Sequence, residues 1–250
     1  MPTPLDLLLD PATQVLFALY TGLLLWELVA PARPLPKVRG WTLRALAAFA
    51  FYFLVSSYLP LLWPETLAPL RLFDLAGGST AAAVAAGVLG YELAAYGWHR
   101  AMHAFTPLWR LFHQMHHRSE RLDVVSAFWF SPLDMVAWTL LPSVTLTILG
   151  VPPAAATLTI LIVSFVSTFQ HANVRTPRWL GYIVQRPESH TVHHARGIHR
   201  HNYADLPLFD LLFGTFRNPR RHEHETGFWH GASACVADML LLRDVSARRR

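Results

Sequence analysis

The chain has 250 residues, of which 53% are apolar and 15% charged, and its mean hydropathy is +0.29. Soluble domains carry about 25% charged residues, so this composition predicts an integral membrane protein. The single cysteine, Cys235, excludes an internal disulfide framework and any metal site built from several cysteines. The net charge is +5, and the basic residues lie beside apolar runs. This distribution favours attraction to an anionic membrane surface and argues against nucleic acid binding.

Five apolar runs predict an all-α protein with four to five transmembrane helices. They cover about residues 13–30, 41–63, 79–98, 133–149 and 154–169. Small residues dominate the third run and predict close helix–helix approach. The short connection at residues 150–153 predicts an antiparallel hairpin. The N-terminal segment lacks a basic region and a cleavage site, so we expect no removable signal peptide.

The distribution of basic residues predicts an orientation in the membrane. If the N-terminus lies outside, every Lys and Arg except Arg71 falls on the cytoplasmic side, as the positive-inside rule requires. The fourteen histidines then share that side. We therefore expect a protein of a bacterial-type inner membrane, with a cytoplasmic helical cap that carries a histidine-rich dimetal site. Arg248, Arg249 and Arg250 are expected to form a frayed tail.

Three histidine boxes carry the main chemical signal. The first has His99 and His103 four residues apart, which places both on one helical face. The second and third share the pattern HxxHH and comprise His113, His116 and His117, and His190, His193 and His194. Packing explains eight such residues poorly, because a buried imidazole needs partners for both ring nitrogens. Eight imidazoles suffice for two metal ions, although imidazole suits iron, zinc, copper and nickel alike.

The boxes and the sequence around them resemble the fatty acid hydroxylase/sterol desaturase superfamily of membrane oxygenases. The matching segments are Trp109-Arg110, Ser131-Pro132-Leu133, His201-Asn202-Tyr203, Phe209-Asp210 and Phe213-Gly214-Thr215. The similarity is strongest over residues 91–215. We expect one membrane-embedded domain over residues 1–250, in which residues 216–250 form a cytoplasmic tail.

This resemblance implies a non-haem di-iron enzyme that uses O2 to hydroxylate or desaturate a sterol, fatty-acyl or other lipid. The eight box histidines would bind two iron ions. His171 matches a further histidine that coordinates metal in some members of the family. Arg175 stands near the position where fuller ligand sets carry one more histidine, so eight or nine ligands are expected.

Five other residues are candidates for orienting the ligands: Glu92, Tyr96, Asn202, Asp205 and Asp210. Glu92 and Tyr96 share a helical face with the first histidine box, as a carboxylate that supports a ligand imidazole would. The alternative for Glu92 is a charge that lines a hydrated cavity. For Asp205 and Asp210, the alternative is a capping or turn contact within the loop.

The remaining histidines and several aromatic residues receive less specific interpretations. His199 and His201 are expected at the surface or just beyond the ligands, whereas His222, His224 and His230 are expected to be solvated. The aromatic residues Trp109, Phe128, Trp129 and Phe130 are expected in an interfacial belt, with a substrate path as the alternative.

No electron-transfer segment is apparent, so electrons would come from a separate protein of the cytochrome b5, ferredoxin or rubredoxin type. An arginine-rich surface is a candidate dock for it, although attraction to the membrane explains the same charges. It comprises Arg110, Arg118, Arg121, Arg217, Arg220 and Arg221. A metal transporter or sensor is the competing function. Transport normally needs ligands near the bilayer midplane, whereas these histidines cluster at helix ends.

Overall fold

The computed structural model describes residues 1–246, and within them it contains helices and no β-strand. Its extended backbone pairing is a single antiparallel bridge between Ala195 and Thr226. The prediction of an all-α protein is confirmed. The expected tail of Arg248, Arg249 and Arg250 lies outside the described residues.

The helices divide into long ones that form a bundle and short ones, most of which form a cap at one end of it. The α-helices in chain order are α1 (Pro4–Leu9), α2 (Pro11–Val29), α3 (Trp41–Tyr58), α4 (Pro64–Leu67), α5 (Thr80–Ala104), α6 (Thr106–Leu108), α7 (Gln114–His117), α8 (Pro132–Leu149), α9 (Pro153–His171), α10 (Pro187–His193), α11 (Leu208–Leu212) and α12 (Val236–Leu240). A π-helical turn over Trp109–His113 leads into α7. Short 3₁₀ turns cover Leu59–Leu62, Ala68–Leu70, Val124–Ser126, Arg178–Tyr182 and Ala232–Ala234.

Within residues 1–246, four helices are long and apolar enough to cross a membrane, at the lower limit of the predicted number. They are α2, α3 with its 3₁₀ extension to Leu62, α8 and α9. Gly150 ends α8 with a left-handed φ of 60°, a conformation that costs glycine little. Pro153 begins α9 immediately afterwards, and the pair forms the expected antiparallel hairpin.

Helix α5 packs against both α8 and α9. Its small residues make this possible, since a Cβ atom at Gly87 would lie 2.7 Å from Thr159 Oγ1 and one at Gly90 would lie 2.6 Å from Leu149 Cδ1. The expected close approach of the helices is therefore present. The helix continues beyond the predicted apolar run to Ala104, so the first histidine box lies on the last turns of α5.

Aromatic residues fill the space where α2 and α3 meet the segment that follows α7. Tyr20 stacks on Phe49 with ring centroids 4.6 Å apart, and Phe128 lies 5.4 Å from Phe49. Phe128, Trp129 and Phe130 are all buried. Their assignment to an interfacial belt is wrong, because they form the floor on which the cap meets the bundle.

Residues 216–246 pack against the cap. Phe228, Ala232, Met239 and Val245 are buried in one cluster with Trp129. The buried Arg118 guanidinium donates to the Ser233 carbonyl at 2.6 Å. Arg118 therefore holds this segment in place, and its assignment to an exposed docking surface is wrong.

A carboxylate of α2 joins the bundle to the cap. Glu27, near the end of α2, accepts hydrogen bonds through Oε2 from the backbone amides of Val124 at 2.9 Å and Asn173 at 2.8 Å. These amides belong to the segments that follow α7 and α9. Glu27 therefore links α2 to both segments that leave the histidine-bearing helices.

We expect Glu27→Ala to lower the unfolding temperature of the protein in detergent. The substitution leaves two amides without their acceptor, at a cost of about 1–3 kcal/mol for each. The matched control is Glu65→Ala, because Glu65 is exposed. Equal unfolding temperatures for the two variants would contradict the proposed link.

Candidate metal centre

Five histidines form a first cluster at the end of the bundle. It contains His99, His103, His113, His117 and His193, and one ring nitrogen from each lies within 4.8 Å of the others. The Nε2 atoms of His99 and His113 are 2.9 Å apart. The Nε2 atoms of His103, His117 and His193 are buried without a hydrogen-bond partner among the described residues. We call this set cluster one.

Four histidines form a second cluster beside the first. It contains His116, His171, His190 and His194, again with one nitrogen from each within 4.8 Å of the others. Their Nε2 atoms form a continuous series: His116 to His171 is 3.1 Å, His171 to His190 is 3.1 Å, and His190 to His194 is 3.0 Å. We call this set cluster two. The structure thus brings all nine predicted ligands together, including His171.

The boxes do not correspond to the clusters. In the second box, His113 and His117 point into cluster one, whereas His116, one residue before His117, points into cluster two. In the third box the assignment is reversed, since His190 and His194 join cluster two and His193 joins cluster one. Each HxxHH box therefore supplies both clusters, whereas the first box supplies cluster one alone.

The chemistry of these nitrogens fits two metal ions. Pairs of imidazole Nε2 atoms at 2.9–3.1 Å repel one another unless a proton or a cation lies between them. A buried nitrogen without a partner costs about 1–3 kcal/mol, which coordination would offset. Imidazole binds zinc at about 2.0–2.1 Å, so nitrogens this close can share one ion with small adjustments. The donor set, nitrogen alone, suits a transition metal.

The clusters favour neutral imidazole, the form that binds metal. Burial away from water, reinforced by repulsion between neighbouring rings, lowers the pKa of the cap histidines well below the usual value. This holds for His113, His116, His117, His190, His193 and His194. At neutral pH their lone pairs are therefore free for coordination without loss of a proton.

Hydrogen bonds at Nδ1 aim several of the rings. His99 Nδ1 donates to the Tyr203 carbonyl at 2.7 Å, and His193 Nδ1 donates to the His201 carbonyl at 2.6 Å. In cluster two, His171 Nδ1 donates to the Ser167 carbonyl at 2.6 Å. Because Nδ1 carries the proton in these rings, the Nε2 lone pair faces the cluster.

Asp134 is a functional candidate that the sequence analysis missed. Its buried carboxylate lies 3.1 Å from His113 Nδ1, the arrangement that orients a ligand imidazole. It stands in the first turn of α8, where Ser131 Oγ accepts from its amide. The available signal was its position directly after the family-like segment Ser131-Pro132-Leu133.

The loop that supplies the carbonyl acceptors has a constrained backbone. His199, His201 and Asn202 have φ values of 41°, 73° and 50°, in the left-handed region that costs non-glycine residues of the order of 1 kcal/mol or more. The side-chain Nδ2 of Asn202 donates to the Ser189 carbonyl at 2.7 Å. This bond ties the loop to α10, so the strained backbone presents the carbonyls of His201 and Tyr203 to the clusters.

The five predicted orienting residues act on this loop. Within the described residues, none of them hydrogen-bonds directly to a clustered imidazole. Glu92 accepts from the amides of Asp205 and Leu206 at 2.9 and 3.0 Å, and Asp210 accepts from the amides of Tyr203 and Ala204 at 2.9 and 3.0 Å. Both carboxylates thus hold the backbone around the Tyr203 carbonyl, which accepts the hydrogen bond from His99 Nδ1. They act on His99 through this carbonyl and do not contact the ring.

The other candidates make similar contacts. The Tyr96 hydroxyl lies 3.2 Å from Thr215 Oγ1 and accepts from Arg100 at 2.8 Å. Asp205 Oδ1 accepts from Gln170 Nε2 at 2.6 Å, and burial raises the pKa of Asp205 to about 7. Asp205 therefore joins the loop to α9, whereas Asp210 makes the turn contact that was the alternative for the aspartates.

The remaining histidines occupy different places. His199 Nδ1 lies 3.1 Å from His117 Nδ1, so His199 lies just beyond the ligands. His230 is exposed, as expected. The prediction that His222 is solvated is wrong, because its Nε2 donates to the Val174 carbonyl at 3.1 Å and its Nδ1 lies 2.8 Å from Thr191 Oγ1. His222 thus ties the C-terminal segment to α10.

A cavity of about 460 Å³ extends from the clusters into the bundle between α2, α3, α5, α8 and α9. Residues lining it near the clusters include His99, His113, His116, His171 and His190. Phe128 and Phe130 also line the cavity, which supports the substrate-path alternative for these two residues. The geometry is that of a membrane protein in which two histidine clusters that could hold metal ions lie at one end of an apolar cavity.

Residues 84–215 match the family model described as fatty acid hydroxylase. This range covers just over half of the chain, and it contains all nine clustered histidines. The chain therefore belongs to the fatty acid hydroxylase family, within the fatty acid hydroxylase/sterol desaturase superfamily. No solved structure matches it.

We expect His193→Ala and His194→Ala to affect different ions. Each variant removes one ligand from a different cluster, so each is expected to lose roughly half of the bound metal, and the double variant most of it. Metal content of the purified protein, determined by mass spectrometry, measures the loss. His230→Ala is the control and should retain the full content. Identical, complete loss in both single variants would contradict two separable clusters.

We expect Asp134→Leu to weaken metal binding by about 10- to 100-fold, because His113 loses the carboxylate that orients it. Competition with a chelator of known affinity measures the change. Asp134→Asn keeps an oxygen acceptor for His113 Nδ1 and should lose less. Asp74→Leu, at an exposed site, is the matched control. An unchanged affinity in Asp134→Leu would exclude the orienting role.

Proposed function

We propose that this protein is an O2-dependent di-iron oxidase that hydroxylates or desaturates a C–H position of a lipid. One observation carries the proposal: two adjoining imidazole clusters lie at the inner end of an apolar cavity within a membrane bundle. Membership of the fatty acid hydroxylase family supports the same class of reaction.

Iron is the metal that this reaction favours. Zinc binds imidazole equally well but has no redox chemistry. Iron bound at the two clusters would supply O2 activation and the one-electron steps needed to break an unactivated C–H bond. The nine histidines would hold the ions, and the Nδ1 contacts of His99, His113, His171 and His193 would keep their rings aimed.

The protein itself would exclude water from the site and hold the ligand rings in place. Phe128, Phe130 and Trp138 place apolar surface beside the clustered rings, which keeps water from the reacting carbon. The cap covers the clusters on the other side, where His117, His193 and His194 are fully buried. A lipid that occupies the cavity therefore meets the metal centre in a medium of low polarity.

We further propose that the clusters face the cytoplasm and take electrons from a separate protein. Hydroxylation consumes one O2, two electrons and two protons and gives one alcohol and one water, so a reductant is required. Arg71 lies near the turn between α8 and α9, at the end of the bundle opposite the clusters, which agrees with the positive-inside rule. Arg217, Arg220 and Arg221 are exposed and would attract an acidic donor of the cytochrome b5, ferredoxin or rubredoxin type.

The test is mass spectrometry of lipids from cells that express the protein. Wild-type protein should produce a lipid that is heavier by one oxygen or lighter by two hydrogens, and the product should disappear in the absence of O2. His116→Ala should produce none, whereas His230→Ala should match wild type. A lipid profile that is identical in wild type and His116→Ala would contradict the proposal.

A further inference from the structure

The cavity runs along the whole bundle. At one end it is lined by Gln170 and His171, the last residues of α9, and at the other by Ala156 and Thr157 in its first turn. This stretch of helix is about 20 Å long, given the rise of an α-helix. The beginning of α2, at Ala12, lines the same far end. The cavity is thus long and extends from the clusters towards the opposite face of the membrane.

The clusters lie at the end of this cavity. Among the described residues, five of the nine clustered histidines line the cavity: His99 and His113 of cluster one, and His116, His171 and His190 of cluster two. Of the residues after His190, Tyr203 and Asp205 line it, and both belong to the loop that covers the clusters. A molecule that fills the cavity lengthwise therefore presents one of its ends to the metal centre.

The cluster end carries an unsatisfied polar group. Gln170 is 4% exposed, and its Nε2 donates to Asp205 Oδ1 at 2.6 Å. Its Oε1 is buried without a hydrogen-bond partner among the described residues. Gln170 and Asp205 both line the cavity, so this unpartnered oxygen belongs to a side chain of the cavity wall.

Three hydroxyl groups further along the cavity already have hydrogen-bond partners. Thr139 Oγ1 donates to the Met135 carbonyl at 2.7 Å, and Ser143 Oγ donates to the Thr139 carbonyl at 2.9 Å. Thr157 likewise donates to the Pro153 carbonyl at 3.2 Å. These three side chains bond within their own helices, and most of the surface that lines the cavity is apolar.

We propose that the lipid binds with its hydroxyl end towards the clusters, where its O–H group donates to Gln170 Oε1. The ligand class is an elongated apolar molecule with a hydroxyl at one end, such as a straight-chain alcohol or a sterol. Its carbons nearest the hydroxyl would then lie closest to the metal centre, and its apolar end would extend towards Ala12 and Ala156. The inference rests on the proposed function in taking the cavity as the lipid site.

Photo-crosslinking tests the orientation without turnover. Two probes are compared, a long-chain primary alcohol with a diazirine beside the hydroxyl and the same alcohol with a diazirine at its methyl end. Full-length protein in detergent, without O2 or reductant, should be labelled by the first probe near Gln170 and Asp205. The second probe should label residues near Ala12 and Ala156. The opposite pattern, or no saturable labelling by either probe, would overturn the proposal.

A hydroxyl-bearing sterol with a diazirine beside its hydroxyl distinguishes the two ligand sources. Labelling near Gln170 by the sterol, the straight-chain alcohol or both supports the proposal and identifies the shape that fits. Labelling near Ala156 by both hydroxyl-end probes contradicts it. Failed lipid oxidation with intact labelling would reject the proposed function alone, so the two failures are distinguishable.

Gln170→Met provides the residue-level test, because methionine is similar in size and lacks the acceptor oxygen. Loss of one hydrogen bond should weaken binding of the alcohol by roughly three- to tenfold, measured by competition with a fluorescent fatty-acid probe. Binding of a matched alkane should not change. Ser143→Ala, which removes a cavity hydroxyl that is already bonded, is the control. Equal weakening of alcohol and alkane binding would show that Gln170 acts through packing and would exclude the proposed contact.

Discussion

The structure depends on holding nine imidazoles together with their Nε2 atoms converging. Neutral rings in contact, such as His99 and His113 at 2.9 Å, repel one another without a cation, so the surrounding chain must impose the arrangement. Carbonyls of Tyr203, His201 and Ser167 do so by accepting the Nδ1 protons. The backbone at residues 199–202 is strained, and this conformation points the His201 carbonyl at His193 Nδ1. Strain of this kind persists only where the surrounding structure holds it in place.

The support for the clusters forms a layered system. Glu92 from α5 and Asp210 from the cap accept the amides of residues 203–206, and Asn202 ties the same loop to α10. Glu27 links α2 to the segments after α7 and α9. Glu92, Asp210 and Glu27 therefore all accept backbone amides where the cap meets the bundle. This explains why acidic residues are tolerated at the ends of apolar helices, where an unpaired carboxylate would be costly.

The cavity connects this polar assembly to the membrane. Close packing of α5 against α8 and α9 at Gly87 and Gly90 draws these three helices together. Helix α3 closes the cavity through Phe49 and Tyr52, next to Phe128 from the segment that follows α7. The same aromatic floor supports the cap. Packing of the bundle, closure of the cavity and placement of the histidines therefore follow from one set of contacts between the helices and the cap.

The sequence by itself determined the helical class, the α8–α9 hairpin and the identity of the clustered histidines, because hydropathy, turn residues and box spacing are local properties. Only the tertiary structure decided which histidine joins which cluster. His116 and His117 are adjacent in the chain yet enter different clusters, since their directions depend on how α7 packs against α5, α9 and α10. Asp134, the burial of Arg118 and the acceptor at Gln170 likewise depend on contacts between segments far apart in sequence, which no local pattern records.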